Sequence, residues 1–530
     1  MSAAPIRLPS RKWSIIASGA ACMCVVVLSY IFAVSMALAC FALPFVLPTV
    51  IYPPLALFGL VAGLKILCSL VPRRSRFEIN GVLIDLTKEK RLAMHIKEIA
   101  AALNVSMPTE VYLTGDATAI ATQLGGFMGL GSRRILRLGL PLFQMLTISQ
   151  FRAVLAHEFA HFYAGDTRRR RWLYNAQRAI AFVYENLGRK SGVVFFLTRD
   201  PIVAGSYSLL MGAIQAYWKT LIRRMRLICC QEEYRSDELA CHVAGSQSLI
   251  EGLQNIRKCN AVMHFYWTSV VLPVATGGFQ PPVAEGFRRF MKARQIARAT
   301  SDFLAEQIRD TKTDPSDTHP PLIKRIEQAR LYSLLAPSIF NHAGAYVLPM
   351  ISLINELGPL ETNLLKKLFP ELADTQLRPM NWDTAGKEVY VPMWREQIAH
   401  FLPVLSTKTL SALHSLVIEP KAISDKVLNP PGMLLNRAQR DAKALEILSC
   451  ALALSLLDHG WKLAIQPGSV HLGCNDTELE PVILIGAMKS GRVSTKQWEE
   501  YCSKAEISDW LLVSSAMSSL KRLVKLRLNG

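Results

Sequence analysis

The hydropathy pattern of the chain opens with a long stretch that carries no charge. Between Lys12 and Lys65 there is no Asp, Glu, Lys or Arg. The interruptions in this stretch are prolines, namely Pro44, Pro48, Pro53 and Pro54. One membrane span takes only about 20 residues, so the stretch is too long for a single span. The pattern therefore predicts a hairpin of two transmembrane helices, near residues 14–39 and 51–71, within an N-terminal segment 1–76.

Both flanks of this hairpin are basic. The positive residues are Arg7, Arg11 and Lys12 before it and Arg73, Arg74 and Arg76 after it. Because loops rich in Lys and Arg stay in the cytoplasm, the N-terminus and everything after Arg76 are predicted to be cytoplasmic, in an integral protein of the cell (inner) membrane. A cleaved signal peptide is the alternative. Its apolar region would be only about 7–15 residues long, without a second span directly after it.

Two further stretches, 201–218 and 260–284, also contain no Asp, Glu, Lys or Arg. The second is broken by Pro273 and by the pair Gly277-Gly278. Each of these stretches can be an additional span, an interfacial element, the wall of a cleft or part of the buried core. We favour buried core for both.

A helix is predicted from about residue 147 to residue 162. Its apolar positions recur at helical spacing and are Phe151, Val154, Leu155 and Phe162. Thr147 or Ser149 can cap its start, and Gln150 stands three residues after Thr147, as in a capping box. Gly165 is a suitable stop.

The chain after about residue 336 has its own pattern. Residues 436–458 predict an apolar-rich helix whose uncharged centre is too short to span a membrane. Residues 461–472 predict a hairpin around Pro467-Gly468, and 497–527 a helix with a basic end. We therefore treat 336–530 as a separate helical and α+β region, to which the sequence assigns no chemistry.

The amino-acid composition limits the classes of protein to which this chain can belong. Hydrophobic residues make up 51% and charged residues 19%, which excludes a disordered chain. The net charge of +19 has basic clusters at 168–171, 223–226 and 288–289. With no nucleic-acid-binding module beside them, these clusters predict contact with anionic membrane lipid rather than with nucleic acid. Ordinary solvated surface is the alternative for many of them.

The main chemical motif is His-Glu-Phe-Ala-His at residues 157–161. On a helix, spacing four places His157 and His161 on one face, where two imidazoles can bind one zinc ion. Glu158 is then beside the metal and can polarise a water without being a ligand. Coincidence is the alternative, but such a motif is expected only about 0.01 times in a chain of this composition.

A catalytic zinc site needs a third protein ligand and an open position for water. The segment 231–241 contains Glu233 and Asp237, which are four residues apart and so share one helical face. Glu233 can complete the ligand set, and Asp237 can hydrogen-bond the far nitrogen of a ligand histidine. Glu232 and Glu238 are expected to point elsewhere. Carboxylates on helices are usually solvated, so solvent exposure is the alternative to this assignment.

At these residues the chain resembles the M48 peptidases, the family of the HtpX heat-shock proteases and the CAAX prenyl endopeptidases. The likeness covers residues 77–335. The segments that carry it are 94–115, Leu146-Thr147 with Val154 to Glu158, Glu233 to Asp237, and Thr318-His319-Pro320 with Arg325-Ile326.

The resemblance implies a mainly helical α+β fold of the gluzincin type. It implies one zinc ion with the ligands His157, His161 and Glu233, the general base Glu158, and Asp237 behind the ligands. It also places His319 and Arg325 near the site, as catalytic residues that orient ligands or stabilise the oxyanion.

The chain also departs from the family. Many members carry an Asn-Ala-Phe segment before the edge strand, where this chain has Ala117 to Ala121. We expect residues 134–138 to form the strand along which a peptide lies. Members like HtpX place two extra spans between the histidine motif and the third ligand, and 201–218 is the only good candidate here.

These observations predict a membrane-anchored zinc endopeptidase that cleaves proteins or peptides, with a role in membrane protein quality control. The alternative is a catalytically silent protein that keeps the protease fold as a scaffold at the membrane. A nucleic-acid-binding protein ranks third, since only net charge supports it. Prenylated peptides are less expected as substrates, because the chain lacks the many spans of that branch.

Overall fold

We analysed a computed structural model of the chain. It describes residues 12–46, 52–70, 79–124, 133–188, 196–310, 319–335, 347–429, 434–474 and 477–513. The chain forms two compact units, one from residues 1–261 and 300–368 and the other from 262–299 and 369–530. The division into 1–76, 77–335 and 336–530 stays a prediction; the structure groups 262–299 with the C-terminal residues and 347–368 with the protease segment.

The first unit is mainly helical. Its helices are α1 (Lys12–Val46), α2 (Pro53–Leu70), α3 (Lys90–Ala102), α4 (Leu142–Met145), α5 (Ile148–Tyr163), α6 (Asp166–Gly188), α7 (Pro201–Ala244), α8 (Ser246–Tyr266, which continues into the second unit), α11 (Arg294–Arg309, which begins in the second unit), α12 (Leu322–Leu335), a 3₁₀ turn (Met350–Leu353) and α13 (Leu357–Leu368). A small sheet contains β1 (Gly81–Leu83), β2 (Glu110–Thr114), β3 (Ala119–Leu124) and β4 (Arg133–Gly139).

The second unit is built from short helices and two small sheets. Its other helices are α9 (Leu272–Thr276), α10 (Val283–Lys292), α14 (Val391–Ala399), α15 (Leu402–Leu405), α16 (Leu413–Ile418), α17 (Lys421–Ser424), α18 (Arg437–Asp458), α19 (Pro481–Lys489) and α20 (Thr495–Lys504). Two π-helical turns (Trp267–Val271, Gly386–Tyr390) and two 3₁₀ turns (Pro370–Leu372, Leu410–Ala412) connect them. The strands are β5 (Phe279–Gln280), β6 (Arg378–Pro379), β7 (Lys462–Gln466), β8 (Ser469–Cys474) and β9 (Thr477–Leu479). The mainly helical α+β fold is therefore confirmed.

The N-terminal hairpin is α1 followed by α2. Within them, Ile16–Val46 and Pro53–Leu70 are long and apolar enough to cross a membrane, and they are the only such helices among the described residues. The two helices pack closely at Gly59, where a Cβ would collide with the carbonyl oxygen of Cys40. The basic residues at 7, 11, 73, 74 and 76 lie outside the described residues.

A second helical hairpin, α6 with the first half of α7, packs along the first. The hydroxyl of Tyr52, just before α2, bonds the carboxylate of Asp200, just before α7. Towards the other end, the thiol of Cys22 donates to the carbonyl of Arg169 at 3.6 Å. Because contacts join both ends, the second hairpin runs along the first, and α7 leads directly from this bundle to the segment around Glu233.

The stretch 201–218 is buried on one side only. Val203 and Ile214 face the first hairpin in a shared apolar core, whereas Leu209 on the opposite side is 78% exposed. The stretch 260–284 is broken into short helical pieces; Tyr266, Trp267 and Val271 in it are buried, whereas Phe265 is 54% exposed. Buried core therefore describes only part of 260–284 and one face of 201–218.

The four-stranded sheet corrects one expectation. Its order is β1-β2-β4-β3, with β2 and β4 parallel and the other pairs antiparallel. Leu136 of β4 pairs with Val111 on one side and with Ala121 on the other. Residues 134–138 are therefore in an interior strand whose backbone groups are already paired, so the peptide-binding expectation is wrong for them. The edge strands are β1 and β3. Of these, β3 packs beside α5.

Two of three expectations for the C-terminal residues are confirmed. Helix α18 starts at a capping box on Asn436, and β7 and β8 form a hairpin whose turn uses Gly468 at φ +84°. The helix expected over 497–527 is wrong for residues 505–513, and 514–527 lie outside the described residues. In the described residues, α20 ends at Lys504, and Glu506 has a left-handed φ of 55°, which stops the helix.

Candidate metal centre

Helix α5 fixes the two histidines of the motif. The side chain of Thr147 accepts from the amide of Gln150 at 3.2 Å, and the Gln150 side chain accepts from the amide of Thr147 at 3.1 Å. The capping box is thus confirmed, and the helix stops before Gly165 at φ +70°. The rings of His157 and His161, one turn apart, lie edge to face with centroids 5.0 Å apart.

Helix α7 brings a carboxylate to these rings. Nε2 of His157 lies 3.4 Å from Oε2 of Glu233, and Nε2 of His161 lies 3.4 Å from Oε1. All three side chains are buried, and their ligand atoms lie within 4.8 Å of one another. The structure thus brings together residues from two helices that are more than 70 positions apart in the chain.

This donor set fits a zinc ion. Bonds of about 2.0–2.2 Å in a tetrahedral arrangement separate neighbouring ligand atoms by about 3.3 Å, close to the 3.4 Å between Nε2 of His157 and Oε2 of Glu233. In addition, Oε2 of Glu233 is buried without a hydrogen bond, although Nη1 of Arg325 lies 3.6 Å away. A buried carboxylate favours a nearby cation, so His157, His161 and Glu233 can hold a metal.

The far nitrogen of each histidine is held in place. Nδ1 of His157 lies 2.9 Å from Oδ1 of Asp237, and Nδ1 of His161 lies 3.1 Å from the hydroxyl of Ser236. With Nδ1–H donating in each case, Nε2 is the nitrogen that faces Glu233 and that can bind a metal once it is deprotonated. Ser236 was not found from the sequence, although its place three residues after Glu233 puts it on the same side of α7.

Arg325 supports this arrangement from behind. Its Nε and Nη2 donate to the two carboxylate oxygens of Asp237 at 2.8 and 2.6 Å. Its side chain is 7% exposed, so it is engaged and buried rather than open to a substrate. This geometry favours a role in positioning Asp237 and His157.

His319 lies on the open side. Its Nδ1 is 3.1 Å from Oε2 of Glu233, and its side chain is 46% exposed. The structure therefore places His319 beside the third ligand and towards solvent, where a substrate can be reached. Thr318 lies outside the described residues.

The charges of the cluster shift its protonation. Burial alone would lower the pKa of His157, but the carboxylates of Asp237 and Glu233 raise it to about 9. Burial likewise opposes ionisation of Glu233, yet its three histidine neighbours hold its pKa well below the usual value. A metal must therefore displace a proton from His157, as is usual when histidine becomes a ligand.

Glu158 is directed at the edge strand. Its Oε2 accepts from the backbone amide of Ala121 on β3 at 2.8 Å. The side chain is half-buried. This bond places the carboxylate between β3 and the histidine-bearing helix, at the strand where a peptide can add to the sheet.

As expected, Glu232 is not part of the group that could hold a metal. The expectation for Arg170 is wrong, because this residue belongs to the basic run 168–171, which was expected to contact lipid or solvent. Instead, Arg170 donates to Glu232 at 2.9 Å and to Glu233 at 2.7 Å. Sequence periodicity gives no signal for this, because it does not show how α6 crosses α7.

We expect Asp237→Asn to weaken zinc binding by about 10–100-fold, the usual effect of losing a group that orients a ligand histidine. The amide cannot accept from His157 and Arg325 as the carboxylate does. Competition with a chromogenic chelator measures the zinc dissociation constant, with the exposed Asp374→Asn as control. An affinity equal to that of the wild-type chain would show that Asp237 does not orient His157.

The buried cluster of two histidines and one glutamate could hold a metal ion. Residues 86–333 match the family model of peptidase family M48. This match supports a metallopeptidase of the M48 family. Searches of the curated proteins and of the solved structures gave no match.

Proposed function

We propose that this protein is a membrane-anchored, zinc-dependent endopeptidase. The observation that carries the proposal is the buried cluster of His157, His161 and Glu233, with Glu158 next to the first histidine in the chain. The match of residues 86–333 to the model of peptidase family M48 supports the class of reaction. The second reading, a silent scaffold with the protease fold, is less favoured because the ligand set and the general base are all present.

Glu158 is the proton carrier of the proposed reaction. Its carboxylate takes a proton from the attacking water and later delivers it to the leaving amine. The Ala121 amide holds this carboxylate at the sheet edge. A zinc ion, when bound, would supply a water with a pKa of about 7 and polarise the scissile carbonyl.

The substrate peptide is proposed to lie along β3. An edge strand presents backbone N–H and C=O groups to which an extended peptide can add as a further strand. Because Ala121 of this strand also bonds Glu158, a peptide there lies next to the general base. His319, the exposed imidazole beside Glu233, is then the residue that can donate to the oxyanion, while Arg325 keeps Asp237 in place.

The two apolar helices suggest the location. We propose that α1 and α2 cross the cell (inner) membrane, with the N-terminus and the protease domain in the cytoplasm and basic residues against anionic lipid. Substrates are then proteins or peptides that reach the cytoplasmic membrane surface. Misfolded membrane proteins are the class that a quality-control role predicts.

This topology predicts the outcome of reporter fusions in a bacterial host. Alkaline phosphatase is active only outside the cytoplasm, so it should be active when fused after Thr49 and inactive when fused after Ile79. Green fluorescent protein, which folds in the cytoplasm, should give the opposite pattern. Phosphatase activity at both positions would contradict a hairpin with a cytoplasmic protease domain.

The proposed activity is tested on the purified full chain in detergent. We expect about one zinc per chain and cleavage of an unfolded protein such as casein. 1,10-Phenanthroline should stop the cleavage and added zinc should restore it. A chain that holds zinc but cleaves neither casein nor membrane proteins would favour the scaffold.

A further inference from the structure

A buried ion-pair network joins the metal ligand Glu233 to the preceding helix. The guanidinium of Arg170, near the start of α6, donates through Nε to Oε2 of Glu232 at 2.9 Å and through Nη2 to Oε1 of Glu233 at 2.7 Å. Two N–H donors of one planar group thus bind two consecutive carboxylates of α7. Lysine, with a single ammonium, cannot reproduce this two-pronged contact.

The burial of these acids makes a cation necessary. The side chains of Glu232 and Glu233 are 0% and 1% exposed. Two neighbouring carboxylates would repel each other at such a site, and each would pay a large desolvation cost. Arg170, together with Arg169 at 3.8 Å from Oε1 of Glu232, places positive charge against these two carboxylates.

The contact with Arg170 also gives the two carboxylate oxygens of Glu233 different surroundings. Oε1 accepts from Arg170 at 2.7 Å and lies 3.4 Å from Nε2 of His161. Oε2 lies 3.4 Å from Nε2 of His157, 3.1 Å from Nδ1 of His319 and 3.6 Å from Nη1 of Arg325, yet it is buried without a hydrogen bond. An oxygen that already accepts a charged hydrogen bond is a weaker metal donor than one that does not, so Oε2 would be the oxygen that binds a metal.

We propose that Arg170, balanced by Glu232, is a positioning residue that presents Glu233 to zinc through the single oxygen Oε2. The proposal rests on the metal centre proposed above. Glu232 cancels the charge of Arg170, so the guanidinium orients Glu233 without placing an uncompensated positive charge beside the metal.

The position of Arg170 near the start of α6 also connects the metal centre to helix α1 of the N-terminal hairpin. The residue before it, Arg169, accepts a hydrogen bond from the thiol of Cys22 in α1 through its carbonyl oxygen, and its side chain lies 3.8 Å from where a Cβ on Gly19 would be. The start of α6 is therefore held between α1 and α7. For this reason the test uses the full chain, in detergent.

Arg170→Gln is expected to lower zinc affinity by about 10–100-fold, measured by chelator competition. A second readout is the visible spectrum of the Co²⁺-loaded chain, because Co²⁺ absorbs weakly when a carboxylate binds through both oxygens and raises the coordination number. The spectrum should lose intensity in Arg170→Gln. Arg178→Gln, the same change further along α6, should leave both readouts as in the wild type.

The partnership with Glu232 is tested by a double-mutant cycle. Glu232→Gln alone leaves the charge of Arg170 uncompensated and should also weaken zinc binding. The double variant Arg170→Gln/Glu232→Gln removes both charges, so it should lose less affinity than the sum of the single losses. Strict additivity would overturn the joint action of the pair.

The other possible results of these measurements separate the inference on Arg170 from the proposed metal centre. Zinc affinity and a Co²⁺ spectrum unchanged in folded Arg170→Gln would overturn the inference and leave the metal centre intact. A wild-type chain that binds no zinc would overturn the centre itself. If Arg170→Gln does not fold, Arg170→Lys, which keeps the charge without the two-pronged contact, decides by the same two measurements.

Discussion

Replacing Glu158 by Gln should abolish proteolysis while zinc stays bound. The amide cannot accept the proton of the attacking water, and loss of a general base costs about 10²–10⁴-fold in rate. None of the proposed ligand atoms belongs to Glu158, so the zinc content should remain that of the wild type. The fall should appear in kcat rather than in KM, because the carboxylate acts in the reaction and not in holding the peptide.

The measurement is the rate of casein cleavage by the purified chain, with zinc content determined on the same sample. Glu388→Gln, at an exposed position of the second unit, is the matched control and should cleave at the wild-type rate. If Glu158→Gln cleaved as fast as the wild type, another residue would have to carry the proton.

Removing the third ligand should empty the metal centre. Glu233→Ala takes away the only carboxylate of the cluster, and two histidines alone do not complete a catalytic zinc site. We expect the zinc content to fall from about one per chain to nearly none, with complete loss of proteolysis. His161→Ala should give the same result, since it removes one of the two nitrogen donors.

Metal analysis after dialysis against a weak chelator makes this measurement, and circular dichroism shows that the helices are retained. Glu251→Gln is a useful control, because Glu251 bonds Gln150 at the other end of α5 and is not part of the cluster. Zinc retained at about one per chain in Glu233→Ala would contradict the assigned ligand set.

The local parts of the site could be predicted from sequence because local spacing determines them. The capping box at Thr147 and Gln150 starts α5, and the spacing of four then places His157 and His161 on one face. The same spacing brings Glu233 and Asp237 to one face of α7. No knowledge of distant contacts is needed for either step.

The expectations that were wrong concern residues whose positions depend on packing between distant segments. Which strand lies at the sheet edge is decided by the order β1-β2-β4-β3, which alternation along 134–138 does not reveal. Likewise, Arg170 resembles its neighbours in a basic run, and only the crossing of α6 and α7 turns it towards Glu232. A run of basic residues in a sequence is normally interpreted as exposed surface, so it does not indicate a buried ion pair.

The central claim, a zinc endopeptidase that acts on proteins at the membrane, is tested most directly by mapping new protein N-termini. Membranes from cells that lack the protein are incubated with the wild-type chain or with Glu158→Gln, and the N-termini are labelled and identified by mass spectrometry. The account predicts new internal N-termini, in cytoplasmic segments of membrane proteins, with the wild-type chain only. Identical sets of N-termini from the two chains would contradict it.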